Sequence, residues 1–140
     1  MKNYFLSAVI FLSLPALAQQ KDYAIKEVNF TQVKLSDKFW LPRIETNRTV
    51  TIPASFERCE NTGRVKNFVM AAQKQGKFCT TYPFDDTDIY KTIEGASFSL
   101  AVHPDKKLEA YVDSLIVIIG KAQEPDGYLY TARTIDPINV

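Results

Sequence analysis

A chain of 140 residues with 46% hydrophobic and 24% charged side chains has the composition of a globular protein rather than a disordered or fibrous one. Its 17 basic and 16 acidic residues nearly cancel, and removing residues 1–18, which carry one basic side chain (Lys2) and no acidic one, leaves 16 of each. A neutral, mixed surface excludes nucleic acid and anionic membrane as principal partners, because both reward a concentrated positive patch.

Residues 1–18 read as a signal peptide: Lys2 supplies the positive start, residues 4–14 the apolar run, and Ala16-Leu17-Ala18 the small-x-small cleavage site. The run is too short to span a bilayer, and no cysteine follows the cleavage site. The expectation is a periplasmic or secreted protein with no membrane span after leader removal. Export makes a disulfide between Cys59 and Cys79 chemically possible; the alternative is two separate small apolar side chains. Neither cysteine belongs to a CxxC or similar pair, and the single histidine, His103, adjoins Pro104. No metal ion is therefore expected to be bound by residues of this segment.

In residues 19–40, Val28, Phe30, Val33 and Leu35 are interleaved with polar residues, which predicts a short β-strand segment. Residues 41–140 then read as helical hairpins. From Trp40 to about Cys59 the prediction is a helix with a break, because Thr49-Val50-Thr51-Ile52 is β-branched and Pro53 interrupts it. Val65, Phe68, Val69 and Ala72 occupy one face of a further helix, with Gly76 as its expected C-terminal cap. After a loop over residues 77–84, Ile89, Ile93, Ala96 and Leu100 form one apolar stripe and Leu108, Val112, Leu115 and Ile119 another. These predict two helices joined by His103-Pro104-Asp105, a link short enough to make them antiparallel neighbours. Ile116, Val117 and Ile118 widen the second stripe, as expected of a helix covered on more than one side in a layered array. Pro125-Asp126-Gly127 ends that helix in a turn. The final residues, 136–140, offer no capping element, and truncation is the expected reason.

Three polar groups are candidates for chemistry. Asp85, Asp86 and Asp88 precede or open a helix, where an aspartate can cap free amides, bind sugar hydroxyls or hold a divalent cation. Tyr90, Lys91 and Glu94 follow on the same helix; Lys91 and Glu94 are spaced for an ion pair, and the alternative is a polar set that orients a loop or touches sugar. Gln123, Asp126, Tyr128 and Tyr130 gather at the later turn. Aromatic faces beside amide and carboxylate edges suit sugar rings, although Asp-Gly also serves any tight turn.

Phe39-Trp40-x-x-Arg43, Asp86-Thr-Asp-Ile-Tyr-Lys-x-Ile-Glu94, the His103-Pro104-Asp105 turn and Gln123-x-x-Asp-Gly-Tyr-Leu129, in that order, resemble the amino-terminal part of the β-L-arabinofuranosidase family, glycoside hydrolase family 127 and its relatives. The likeness runs from about Val28 to Thr131. It implies an all-α fold, the N-terminal part of an (α/α)6 barrel of six helical hairpins. It also implies removal of non-reducing terminal β-L-arabinofuranosyl residues from arabinose-containing oligosaccharides or polysaccharides of plants. In the family a cysteine nucleophile is held on zinc with other cysteines and a glutamate, and a second glutamate is the acid/base, in keeping with retaining glycoside hydrolysis. No residue of this segment matches those positions, so none is expected to be catalytic, and Cys59 and Cys79 do not inherit the role. Asp86, Asp88, Tyr90, Lys91, Glu94, Asp126 and Tyr128 are the expected cleft-rim or substrate-binding residues. The chain departs from the common pattern at Thr92, where an aromatic residue often follows the lysine. The competing readings are another α/α-barrel carbohydrate enzyme, such as a glycuronyl hydrolase or lyase, and a non-catalytic helical module that binds glycan or protein.

Overall fold

A computed structural model of the protein describes residues 25–138; the expected signal peptide lies outside the described residues. Every regular element among the described residues is a helix: α1 (Trp40–Thr46), α2 (Ile52–Asn61), α3 (Arg64–Gln73), α4 (Asp86–Val102), α5 (Lys106–Ala122) and the short α6 (Thr131–Ile135). The strand segment expected in residues 19–40 does not form among the described residues. A single 3-10 turn, Phe30–Gln32, stands there, closed by the Asn29 side chain, which accepts from the Thr31 amide. Alternating residues make a strand only where another strand takes up their backbone groups, and no described segment does so. Val28, Phe30, Val33 and Leu35 instead line an apolar groove of about 720 Å³ with Leu41, Phe98 and neighbouring residues.

The break expected before Pro53 is a change of helical pitch. Residues Asn47–Thr51 form a π-helical turn between α1 and α2, in which the Ile52 amide donates to the Asn47 carbonyl five residues back. Proline has no amide and its ring crowds the carbonyl four residues before it. One wider turn relieves that conflict while the helix continues. At the start of α1, Asp37 Oδ1 accepts from the Phe39 and Trp40 amides, while Arg43 donates to the Phe39 carbonyl and stacks on the Phe39 ring. The Phe-Trp-x-x-Arg motif is thus a self-contained helix start.

Helix α3 is capped two residues before its expected glycine. Lys74 takes the left-handed conformation (φ 50°), its amide donates to Ala71 and that of Gln75 to Met70, so Gly76 follows the cap instead of forming it. The true need for glycine is at the other end. Gly63 sits at φ 85°, where a Cβ would lie 2.8 Å from the Cys79 Cβ.

The core gathers Ile52, Phe56 and Cys59 of α2, Val65, Phe68 and Ala71 of α3, Ile89 and Ala96 of α4, and Val112, Leu115 and Ala122 of α5. Both predicted stripes therefore face inward, with Ile93, Leu108 and Ile119 at the margin, except that Leu100 at the end of the α4 stripe is half-buried outside this core. Helix α5 packs most extensively on α3 and also on α4. The Phe56 and Tyr111 rings meet edge to face at 5.0 Å, and the Tyr111 hydroxyl donates to Glu60 Oε1 at 2.7 Å. Of the widened stripe on α5, Ile118 joins the core while Ile116 and Val117 are exposed. No helix of the described residues is long and apolar enough to cross a membrane.

Candidate functional site

The polar candidates converge at one end of the array, where the α2–α3 turn, the start of α4, the turn after α5 and the start of α6 meet. Asp85, Asp86 and Asp88 were candidates for capping α4, and none caps it through its side chain. The backbone already serves that purpose: the Asp85 amide donates to Tyr82 O, that of Thr87 to Phe84 O and that of Asp88 to Asp85 O. With those donors satisfied, the three carboxylates are free to reach other elements.

Asp86, 6% exposed, caps a different helix. Its Oδ2 accepts from the Thr131 amide at 2.8 Å and its Oδ1 from the Thr131 hydroxyl at 2.6 Å, so a carboxylate on the first turn of α4 holds the first turn of α6. Thr131 itself is fully buried. Burial pushes the Asp86 carboxyl above the usual carboxylate range, partly offset by the two bonds from Thr131. This contact ties the motif block at residues 86–94 to the start of α6, just beyond the second block at residues 123–129.

Asp85 and Asp88 both turn to Arg64 at the start of α3. Arg64 Nε donates to Asp88 Oδ2 at 2.6 Å, Nη2 lies 3.4 Å from Asp85 Oδ2, and Nη1 donates to the Thr62 hydroxyl at 2.7 Å. The pair borders a pocket of about 280 Å³ between α2 and α4, lined by Ser55, Arg58, Cys59, Lys91 and Thr92 as well. Burial pushes the Cys59 thiol up, opposed only in part by hydrogen bonding with Thr92 and by the Arg64 charge, which keeps it a thiol rather than a nucleophilic thiolate. Cys59 is buried and Cys79 exposed, and both are free, so the disulfide alternative is not realised. Among the described residues no three His, Cys, Asp or Glu side chains come together to hold a metal ion.

Tyr90 packs edge to face on Phe68 at 5.7 Å and keeps part of its surface exposed; burial, followed by the nearby Asp86, pushes its hydroxyl up to about 12. Lys91 does not pair with Glu94: its Nζ lies 3.4 Å from the Thr87 hydroxyl, and Glu94 is exposed without a partner among the described residues. At the later turn, Asp126 Oδ1 accepts from the Tyr128 amide and Gln123 Nε2 donates to Gly127 O at 2.8 Å, so both polar groups serve the turn itself. Gly127 takes φ 91° there. Tyr128 remains exposed, with the Arg133 guanidinium 4.8 Å over its ring.

Sequence reasoning passed over Arg64, Asn67 and Thr131. Arg64 carried a signal, because a cation on the first turn of a helix opposes the dipole and calls for a carboxylate partner. Asn67, fully buried, accepts from the Cys79 amide at 2.7 Å and donates to the Thr80 hydroxyl at 3.1 Å, fastening the loop over residues 77–84 to α3. Its signal was a polar residue inside an apolar helix. Thr131 carried none.

Comparison with known proteins places this geometry in context. Residues 32–139 match the family model of the β-L-arabinofuranosidase GH127 catalytic domain. A non-reducing end β-L-arabinofuranosidase of Bifidobacterium longum subsp. longum is 48% identical over 52 residues, 37% of this chain and 8% of that protein. A solved GH127 β-arabinofuranosidase shares 57% identity and a TM-score of 0.72 over 78% of this chain and 17% of its own. A GH127 β-L-arabinofuranosidase from Geobacillus stearothermophilus shares 33% identity and a TM-score of 0.72 over 76% of this chain and 18% of its own. The chain thus spans less than a fifth of the length of these relatives.

Proposed function

Because this chain belongs to the β-L-arabinofuranosidase GH127 catalytic-domain family, we propose that it forms part of an exported glycoside hydrolase that removes non-reducing terminal β-L-arabinofuranosyl residues from plant glycans. The observation that carries the reading is the 57% identity to a solved GH127 β-arabinofuranosidase, over a fold whose one polar end collects Arg64, Asp85, Asp86 and Asp88. In this reading the segment supplies wall and rim, and zinc with its cysteine and glutamate ligands belongs to residues outside it. Periplasmic or secreted localisation is part of the same proposal and rests on residues 1–18. The test is release of L-arabinose from an aryl β-L-arabinofuranoside by the product of the entire open reading frame, with and without a chelator. Absence of release from a folded, zinc-supplied protein would overturn the reading.

The 140-residue chain assayed alone, with zinc added, should give no turnover of the same substrate. Turnover that disappears on mutation of Cys59 or Cys79 would reverse the exclusion of those thiols from the chemistry.

Asp88 is the rim carboxylate with the most direct access to a ligand, since it borders the pocket and is half exposed. In the active enzyme, Asp88→Asn keeps the volume but removes the charge facing Arg64, and should lower kcat/KM by about tenfold. The stability change should stay below about 1 kcal/mol, as expected of a partly solvated pair. Glu94→Gln, measured alongside, probes an exposed position on the same helix; unaltered turnover in both variants would leave these residues with architectural duties only.

A further inference from the structure

The loop over residues 77–84 ends in a rigid aromatic turn that the fold itself does not use. The Asp85 amide donates to the Tyr82 carbonyl at 3.2 Å, closing a four-residue turn with Pro83 in its second position, where the fixed φ of proline is favoured. The Tyr82 and Phe84 rings, from the residues before and after that proline, stack with centroids 5.4 Å apart and planes 22° from parallel. Upstream, the buried Asn67 accepts from the Cys79 amide and donates to the Thr80 hydroxyl; downstream, the Thr87 amide donates to the Phe84 carbonyl. The turn is pinned on both sides, yet Tyr82 is 57% and Phe84 62% exposed and neither joins the core.

Given the glycan-degrading reading above, on which its setting rests, we propose that Tyr82 and Phe84 form a stacking platform for a sugar ring of the arabinose-containing glycan. A sugar ring presents C–H groups on its face, and the negative face of an aromatic ring is a flat partner for them. A pair already held by its backbone has little freedom left to lose on binding. Thr81 and Thr87 are exposed on either side of the turn in the chain, and their hydroxyls suit the polar edge of such a ring. The turn stands at the end of the array where Arg64 meets Asp85 and Asp88, and Cys79 of the same loop lies against Gly63 in the α2–α3 turn. That place argues for a ligand over a further helix. Apolar surface that another helix covers runs along a helix, as Ile116 and Val117 do on α5, whereas binding residues gather on loops held by a rigid scaffold. Tyr82 and Phe84 are binding residues in this assignment and take no part in cleavage.

The experiment uses binding, so that it stands apart from the arabinofuranosidase assay. With the product of the entire open reading frame, calorimetry measures binding of an L-arabinofuranosyl trisaccharide whose glycosidic oxygens are replaced by sulfur, which resists hydrolysis. Phe84→Leu keeps an apolar side chain but removes the flat face, and should weaken binding about fivefold, as should Tyr82→Leu. Tyr82→Phe and Phe84→Trp keep a ring and should bind as wild type does. Denaturation midpoints should not move in any of these variants, since both rings are exposed. Undiminished binding in both leucine variants would overturn the proposal. So would a midpoint several degrees lower in Phe84→Leu, which would mean that another part of the chain covers the turn. Ring-dependent binding in a protein that releases no arabinose would sustain the platform and sink only the assigned reaction.

Discussion

Replacing Asp86 by alanine should destabilise the protein by about 3 kcal/mol, because it strands two buried donors at once. The Thr131 amide and hydroxyl both lose their acceptor in a place where water does not reach, Thr131 being fully buried. Asp86→Asn should cost far less. The amide oxygen can accept from the Thr131 amide, and the freely rotating hydroxyl can turn to accept from the new NH2 group. Denaturation midpoints of the three proteins, with amide hydrogen exchange at Thr131, measure the ordering; equal losses in the two variants would mean that the charge and not the hydrogen-bond pair holds the contact. The carboxyl also makes the comparison depend on pH. Its folded value lies above the ordinary 3.8, so the folded state keeps the proton more readily than the unfolded one. Its stabilising contribution is complete below that ordinary value and is lost as pH rises through the raised folded value. The margin of wild type over Asp86→Asn should therefore be wider near about pH 4 than near about pH 7.

Phe68→Ala should produce the largest loss of all, about 4 kcal/mol. Phe68 is 1% exposed and belongs to α3, the element on which α5 packs most extensively. Truncation removes its buried surface, leaves a cavity in the core, and deprives Tyr90 of its edge-to-face partner. Phe68→Leu, which keeps most of the volume, should recover more than half of the loss. A shift in the denaturation midpoint no larger than that of an exposed replacement such as Val117→Ala would show that α3 is not the centre of this core. The same truncation should also reach the functional end, since Tyr90 and Asp86 lie on one turn of α4 above it.

Local chemistry decided the helices. The stripes of α4 and α5, the stop at Pro125-Asp126-Gly127 and the short link at His103-Pro104-Asp105 were legible because each depends on residues within one or two turns of one another. The link proved also to be a cap, with Asp105 Oδ1 accepting from the Lys107 and Leu108 amides. Expectations failed where a local pattern needed a partner from elsewhere. The alternation at Val28–Leu35 had no neighbouring strand to give it meaning, and its apolar side chains went to a groove instead. Gly76 looked like a cap because glycine usually is one, yet Lys74 paid the left-handed strain and Gly63 was the position where a side chain could not fit.

The candidate site divides in the same way. By itself the sequence determined that acidic residues open α4, that a polar and aromatic turn follows α5, and, through the motif order, which family the chain resembles, since these are properties of residue type and spacing. Only the tertiary structure decided what the carboxylates do. Asp86 caps α6 across 45 residues and Asp88 meets Arg64 across 24, whereas the neighbouring Lys91 and Glu94 ignore each other. A carboxylate takes whichever donor the fold brings within hydrogen-bond distance, and once the backbone of residues 82–85 had satisfied the first amides of α4, the nearest unsatisfied donors were on other helices.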